Sequence, residues 1–146
     1  MATSAWNKFD DFSEQLVRGV HDFDADTFKV VLASSAPSAT DTQLSDITSQ
    51  LSTGGGYTSG GETTTISIAE VSGTTTVSGT EIVWTGTGSG FGPFRYAALY
   101  NDSSTSPADA LIAWFDYGSS ISSVGAGETF TLRFSTTSPG SMFTLV

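Results

Sequence analysis

The chain's only histidine, His21, opens the run HDFDADT, in which Asp22, Asp24 and Asp26 follow at alternating positions. An imidazole near a hydroxyl is the usual base for hydrolysis, with Ser34 and Ser35 as nearby hydroxyls and Asp22 as an orienting carboxylate. Alternating aspartates also open a calcium loop. Neither pattern is completed. No GxSxG elbow precedes a helix, and a calcium loop needs glycine sixth and glutamate twelfth, where this chain has Thr27 and Ala33. The run reads as a polar corner between a helix and a strand, with His21 structural or solvent-facing.

The glycine runs STGGGY, TSGGE and GTGSGFG lack the GxxxxGK[ST] and strand-GxGxxG-helix contexts of phosphate loops, so they read as turns, bulges or contact loops. Asp102, Asp109, Asp116 and Glu128 are separated by strand and turn signals, and no spacing fixes a catalytic pair. The absence of cysteine removes disulfides, thiolate catalysis and sulfur-held metal. No cofactor and no metal site are expected. The NDS at Asn101 is a formal glycosylation acceptor with no other signal behind it.

Aromatic residues are the richest chemistry left. Trp84, Phe91, Phe94, Tyr96, Tyr100, Trp114, Phe115 and Tyr117 could line a carbohydrate site, but alternation gives a plainer account. In FRYAALYND and LIAWFDYG it puts Phe94, Tyr96, Ala98 and Tyr100 on one side beside Leu111, Ala113, Phe115 and Tyr117. Ala97 and Leu99 join Ile112 and Trp114 on the reverse. Both faces are apolar, so this pair must be covered by sheet, helix or a neighbouring subunit. Arg95 and Asp116 are the charged exceptions and are expected to pair.

The elements positioning these residues follow from periodicity. Phe9, Phe12, Leu16 and Val20 recur at helical spacing, predicting an amphipathic helix over 8–18, with Asn7 as cap, Asp10 at the capping-box position and Gly19 as stop. A strand over 27–33 follows. Residues 37–65 lose apolar content and read as a long polar loop or arm, with a helical turn through Leu44, Ile47 and Leu51 as one option. Strands then recur around Ile66–Ile68, Val77 and Ile82–Trp84, with a turn at Ser72-Gly73, then in the two aromatic strands joined by a hairpin connection. ETFTLRF and the terminal SMFTLV are expected to pair, tying the C-terminus into the sheet. Six or seven strands after one helix predict a single mainly β domain, an antiparallel β-sandwich or open barrel with one N-terminal amphipathic helix. Its core is expected at Phe9, Phe12, Leu16, Phe94, Tyr96, Tyr100, Trp114, Phe115, Tyr117, Phe130, Leu132 and Phe134.

Of 146 residues, 38% are hydrophobic, 12% aromatic and 14% charged, with formal net charge −10. This aromatic, low-charge composition argues for folding rather than disorder. Its negative field repels phosphate backbones and suits a partner with a basic patch, so no nucleic acid is expected. No run of about 18 apolar residues and no secretory pattern is present, so neither a membrane nor conventional export is expected.

WNKFDDFSEQLVRGVHDF, FKVVLASSAPSATDTQLSDI, GGGYTSGG, GPFRYAALYND with LIAWFDYG, and GETFTLRF occur in that order across nearly the whole chain. The ordered set resembles a family of small virion structural proteins of tailed bacteriophages and prophages. The resemblance implies a nonenzymatic particle component, a capsid decoration or cement protein, with neck or tail accessory protein as the alternative. It implies the major capsid protein as partner, the capsid surface as location and assembly in the host cytoplasm. GPFRYAALYND corresponds to the family's structural core motif, and no binding residues carry over individually. From the role alone a homo-oligomer, such as a trimer at threefold positions, is expected. Tyr57 on the 37–65 arm and Trp84 are the partner-contact candidates, and in a competing reading as a host glycan-binding module these two rings would be the exposed platform.

Overall fold

In the computed structural model, described over residues 2–136 and 138–146, the chain is mainly β with a single short α-helix among those residues. The strands are β1 (Asn7–Lys8), β2 (Phe28–Ala33), β3 (Glu62–Thr64), β4 (Ile66–Val71), β5 (Thr74–Gly79), β6 (Ile82–Thr85), β7 (Phe94–Asn101), β8 (Leu111–Ile121), β9 (Thr129–Leu132) and β10 (Gly140–Leu145); α1 is Phe12–Val17. They form a five-stranded sheet in the order β1-β8-β7-β2-β3, a three-stranded sheet β10-β5-β4 and a two-stranded sheet β6-β9. The arrangement is sandwich-like and every strand pairing is antiparallel.

The two aromatic strands are the middle of the molecule. β7 pairs with β2 through Phe28↔Asn101 to Ala33↔Tyr96 and with β8 through Ala97↔Phe115 and Ala98↔Trp114. One face of this trio, through Val30, Leu32, Phe94 and Leu99, joins Val77, Trp84 and Met142 of the smaller sheets in the main core. The reverse face, through Val31, Ala98, Tyr100 and Leu111, is covered by Phe9 and Ile47 in a second core. Apolar character on both faces therefore has a packing reason, and the expected covering is supplied by the chain itself.

Strict alternation fails at two irregularities. The register shifts between Phe94 and Tyr96 and again between Leu99 and Tyr100, where Ile112 is the extra residue opposite. Phe94 thus shares the main core with Ala97, Leu99, Ile112, Ala113 and Phe115, whereas Tyr96, Ala98, Tyr100, Leu111 and Trp114 belong to the second. A bulge moves every following side chain to the other face, which period-two reading cannot anticipate.

The expected helix over 8–18 is shortened to six residues. Asn7 and Lys8 form β1 against Trp114 and Ala113, and the backbone of Asp10 donates to Ala39 at 2.9 Å, so tertiary pairing takes the first turn of the helical pattern. Asn7 is therefore no cap, Asp10 forms no capping box, and Asp11 at the N-cap position makes no side-chain cap bond. Phe9 and Phe12, assigned to one helix face, are buried in different cores; Leu16 packs at the edge of the main core, and Val20 is half-buried beyond the helix. Gly19 ends the element at φ +75°.

Residues 37–65 are not a projecting arm. Leu51 donates to Leu32 at 2.9 Å, Ser34 to Ser49 at 3.0 Å, Leu44 to Asp109 at 3.0 Å and Leu111 to Thr42 at 3.0 Å, and Ile47, Leu51 and Tyr57 are buried. The helical turn is a 3-10 turn at Leu44–Asp46, closed by Asp46 accepting from the backbone of Thr42 and Gln43. Those bonds hold the Asp46 carboxyl below its ordinary range. Backbone hydrogen bonding across distant residues replaces the apolar pattern that would have advertised this packing.

The Ser72-Gly73 turn has φ +52° and +82°, as a two-residue hairpin with both central residues left-handed requires, and joins β4 to β5. The predicted pairing of ETFTLRF with SMFTLV does not occur. β9 pairs with β6 and β10 with β5, because Trp84 and Val77 lie on strands that offer apolar partners in register, Trp84↔Phe130 and Val77↔Phe143.

A methyl group at Gly61, φ +73°, would strike the Val30 carbonyl, whereas at Gly19 it would meet nothing within 4 Å. Gly61→Ala is expected to lower unfolding free energy by roughly 2–4 kcal/mol and Gly19→Ala by about 1 kcal/mol, read by urea denaturation. Equal effects would show that close approach at β2 is unimportant.

Candidate functional site

His21 is held in a buried corner that also lines a shallow groove beside the three-stranded sheet. Its ring is 5% exposed and lies between Phe12 and Phe23, at centroid distances of 5.4 and 6.1 Å. Nδ1 is 3.3 Å from Asn101 Nδ2, which also donates to Asp26 at 2.7 Å; Nε2 is buried with no partner among the described residues. Burial pushes the imidazole down to about 4, outweighing the favourable charges of Asp26 and Asp11. The ring is neutral near pH 7, with Nδ1 beside the Asn101 amide, which also donates to the Val20 carbonyl at 3.2 Å. Ser34 and Ser35 follow the far end of β2, roughly 20 Å along the strand, so the structure does not bring them to His21.

The aspartates of HDFDADT are engaged in the corner itself. Asp22 Oδ1 accepts from the backbone of Asp24 and Ala25 at 3.0 and 3.2 Å, and Asp26 Oδ2 accepts from Asp22 at 3.0 Å. The remaining carboxylates are dispersed: Asp102 pairs with Lys29 at 2.9 Å, Glu128 accepts from Gly125 at 2.7 Å, and burial together with Asp102 raises the Asp109 carboxyl above its usual range. No group of three or more metal-ligating side chains occurs among the described residues.

Neither ring proposed as a partner contact is available at the surface. Tyr57 and Trp84 are each 1% exposed. The Tyr57 hydroxyl accepts from the backbone of Leu32 at 3.1 Å, and burial raises its pKa to about 12. Trp84 packs on Phe130, with its Nε1 buried and unpartnered among the described residues. They are core rings, and the glycan reading built on their exposure falls with them. Of the expected core, Phe9, Phe12, Phe94 and Tyr100 are buried and Leu16, Tyr96, Trp114, Phe115, Phe130, Leu132 and Phe134 partly so, but Tyr117 is 40% exposed.

Tyr117 stands instead at a cavity of about 630 Å³ between β8 and β9. Among the described residues β9 pairs with β6 and not with β8, so β8 meets β9 and the segment after it through side chains: Tyr117 against Phe130 at 6.0 Å and Phe115 against Phe134 at 6.1 Å. Trp6 meets Phe115 at 5.7 Å. Arg95 and Asp116 also line it, paired as expected, with Nε to Oδ1 at 2.7 Å and Nη2 to Oδ2 at 2.9 Å. The Arg95 guanidinium, followed by the backbone N–H of Gly118, holds the Asp116 carboxyl below its usual range. Alternation had assigned these rings to packing, and no local signal showed that two unpaired strands would leave space between them.

Comparison with protein families, with curated proteins and with solved structures finds no match to this chain. Its chemistry is therefore read from the geometry. A second, shallower groove of about 360 Å³ runs between the end of α1 and the three-stranded sheet, lined by Leu16, Phe23, Ile68, Phe143 and Leu145.

For His21 the folded pKa lies below the ordinary value near 6.5, so the unfolded chain binds the extra proton between the two. Stability is full above about pH 6.5 and declines as pH falls toward 4, by up to about 3 kcal/mol. His21→Gln should remove that part of the slope in urea unfolding measured from pH 7 to 4; an unchanged slope would place the titration elsewhere. Arg95→Gln is expected to raise the Asp116 carboxyl back toward its ordinary range, followed by carboxyl NMR against pH. An unshifted resonance would mean the guanidinium does not set it.

Proposed function

We propose that this chain is a nonenzymatic structural component of a phage particle, a capsid decoration or cement protein that binds the major capsid protein lattice. The ordered sequence resemblance supports this reading. The observation that carries it is the partly uncovered three-stranded sheet: β4 is an edge strand with Ile68 46% and Val71 71% exposed, and Leu145 on β10 is 47% exposed across the same sheet. An open edge with apolar side chains is a template for another chain, and repeated modest contacts suffice where symmetry multiplies them.

Charge points to the kind of partner. The net charge of −10 favours a lattice that presents basic patches, and the exposed β4–β10 sheet supplies the short-range contact. Self-association on threefold positions, residence on the capsid surface and assembly in the host cytoplasm follow from this role and belong to the proposal.

Cryo-electron microscopy of intact particles is expected to show many copies at regular lattice positions with the β4 edge toward the capsid protein. A few copies confined to the neck or tail would make it an accessory protein there. Val71→Lys, at an exposed position that leaves the core intact, should reduce occupancy on heads without lowering the melting temperature. Undiminished occupancy would exclude this edge as the contact.

A further inference from the structure

We infer that the cavity between β8 and β9 is a binding site for a neutral sugar ring, a pyranose unit of a glycan. At about 630 Å³ it falls within the roughly 300–1,000 Å³ of ligand sites. Its apolar wall is made by aromatic rings, among them Trp6, Phe115, Tyr117 and Phe130, and its polar side by Arg95 and Asp116 with the hydroxyl-bearing Thr129 and Thr131. Rings on one side and directional donors and acceptors on the other match the two surfaces of a pyranose, whose C–H face is apolar and whose edge carries hydroxyls.

The ion pair supplies the polar half. Arg95 and Asp116 side chains remain 38% and 32% exposed while bound to each other. Their bidentate contact uses Nε–H and one Nη2–H, leaving other guanidinium hydrogens beside carboxylate lone pairs, the alternation that adjacent sugar hydroxyls satisfy. Arg95 is also held over the Tyr96 ring at 5.3 Å, so the fork is oriented before a ligand arrives. Charge then selects within the class. The charges of the lining are paired, Arg95 with Asp116 and Arg133 with Glu81, so a neutral sugar enters without leaving a charge unpaired.

The site lies apart from the exposed β4 edge, and sugar binding is read on the isolated chain, so it stands or falls separately from a place on a particle. The test is saturation-transfer NMR of the protein with glucose, galactose, mannose, N-acetylglucosamine and their short oligomers, each at millimolar concentration. At least one is expected to bind, with Kd weakened roughly tenfold or more in Tyr117→Ala and in Asp116→Asn, and kept in Tyr117→Phe, at unchanged melting temperature. Three results would overturn it: no saturation transfer from any of these sugars, binding indifferent to Tyr117→Ala and Asp116→Asn, or displacement of Trp6 and Tyr117 resonances by an apolar peptide but by no sugar.

Discussion

A strand trio that is apolar on both faces has to be covered twice, and most of this architecture answers that requirement. β2, β7 and β8 place Leu32, Phe94 and Leu99 on one side and Val31, Ala98 and Tyr100 on the other. The smaller sheets close the first side. The second is closed by segments with little secondary structure, Phe9 before α1 and Ile47 after the 3-10 turn. A chain with only 38% hydrophobic residues concentrates burial in this trio and lets hydroxyl-rich strands form the outside.

The polar segment over 37–65 is held by hydrogen bonds rather than by an apolar stripe. Tyr100 donates to the Gly60 carbonyl at 2.7 Å, Gln50 accepts from Gly60 at 2.6 Å, and Tyr57 accepts from Leu32 at 3.1 Å. Glycine permits the closest approaches: STGGGY and GTGSGFG pack on each other, with Thr87 donating to Gly55 at 2.9 Å and no room for a side chain at Gly55 against Gly90. The two glycine runs that resembled phosphate loops are thus two halves of one backbone contact. Their shared function is proximity.

Buried polar chemistry follows the same division. His21, Asn101 and Asp26 tie the helix-to-strand corner to the end of β7, where desolvation keeps the imidazole neutral. Arg95 and Asp116 are the opposite case, charged, paired and still open to solvent beside a cavity. The first leaves its imidazole Nε2 buried and unpartnered among the described residues, and the second keeps its charged groups partly exposed at the cavity.

The sequence by itself determined the β class, the strands around FKVVLA, FRYAALYND and LIAWFDYG, the Ser72-Gly73 turn and the pairing of Arg95 with Asp116, because periodicity, turn chemistry and charge can be read along the chain. Tertiary structure alone decided which strands meet, where bulges reverse a face and which rings are covered. Tyr57 and Trp84 looked available in sequence and are sealed, while Tyr117 looked internal and stands at a cavity mouth. Exposure depends on what arrives from elsewhere in the chain: β1 claimed the first turn of a helical pattern, and β6 and β10 claimed partners other than their neighbours. No residue's own spacing carries that information.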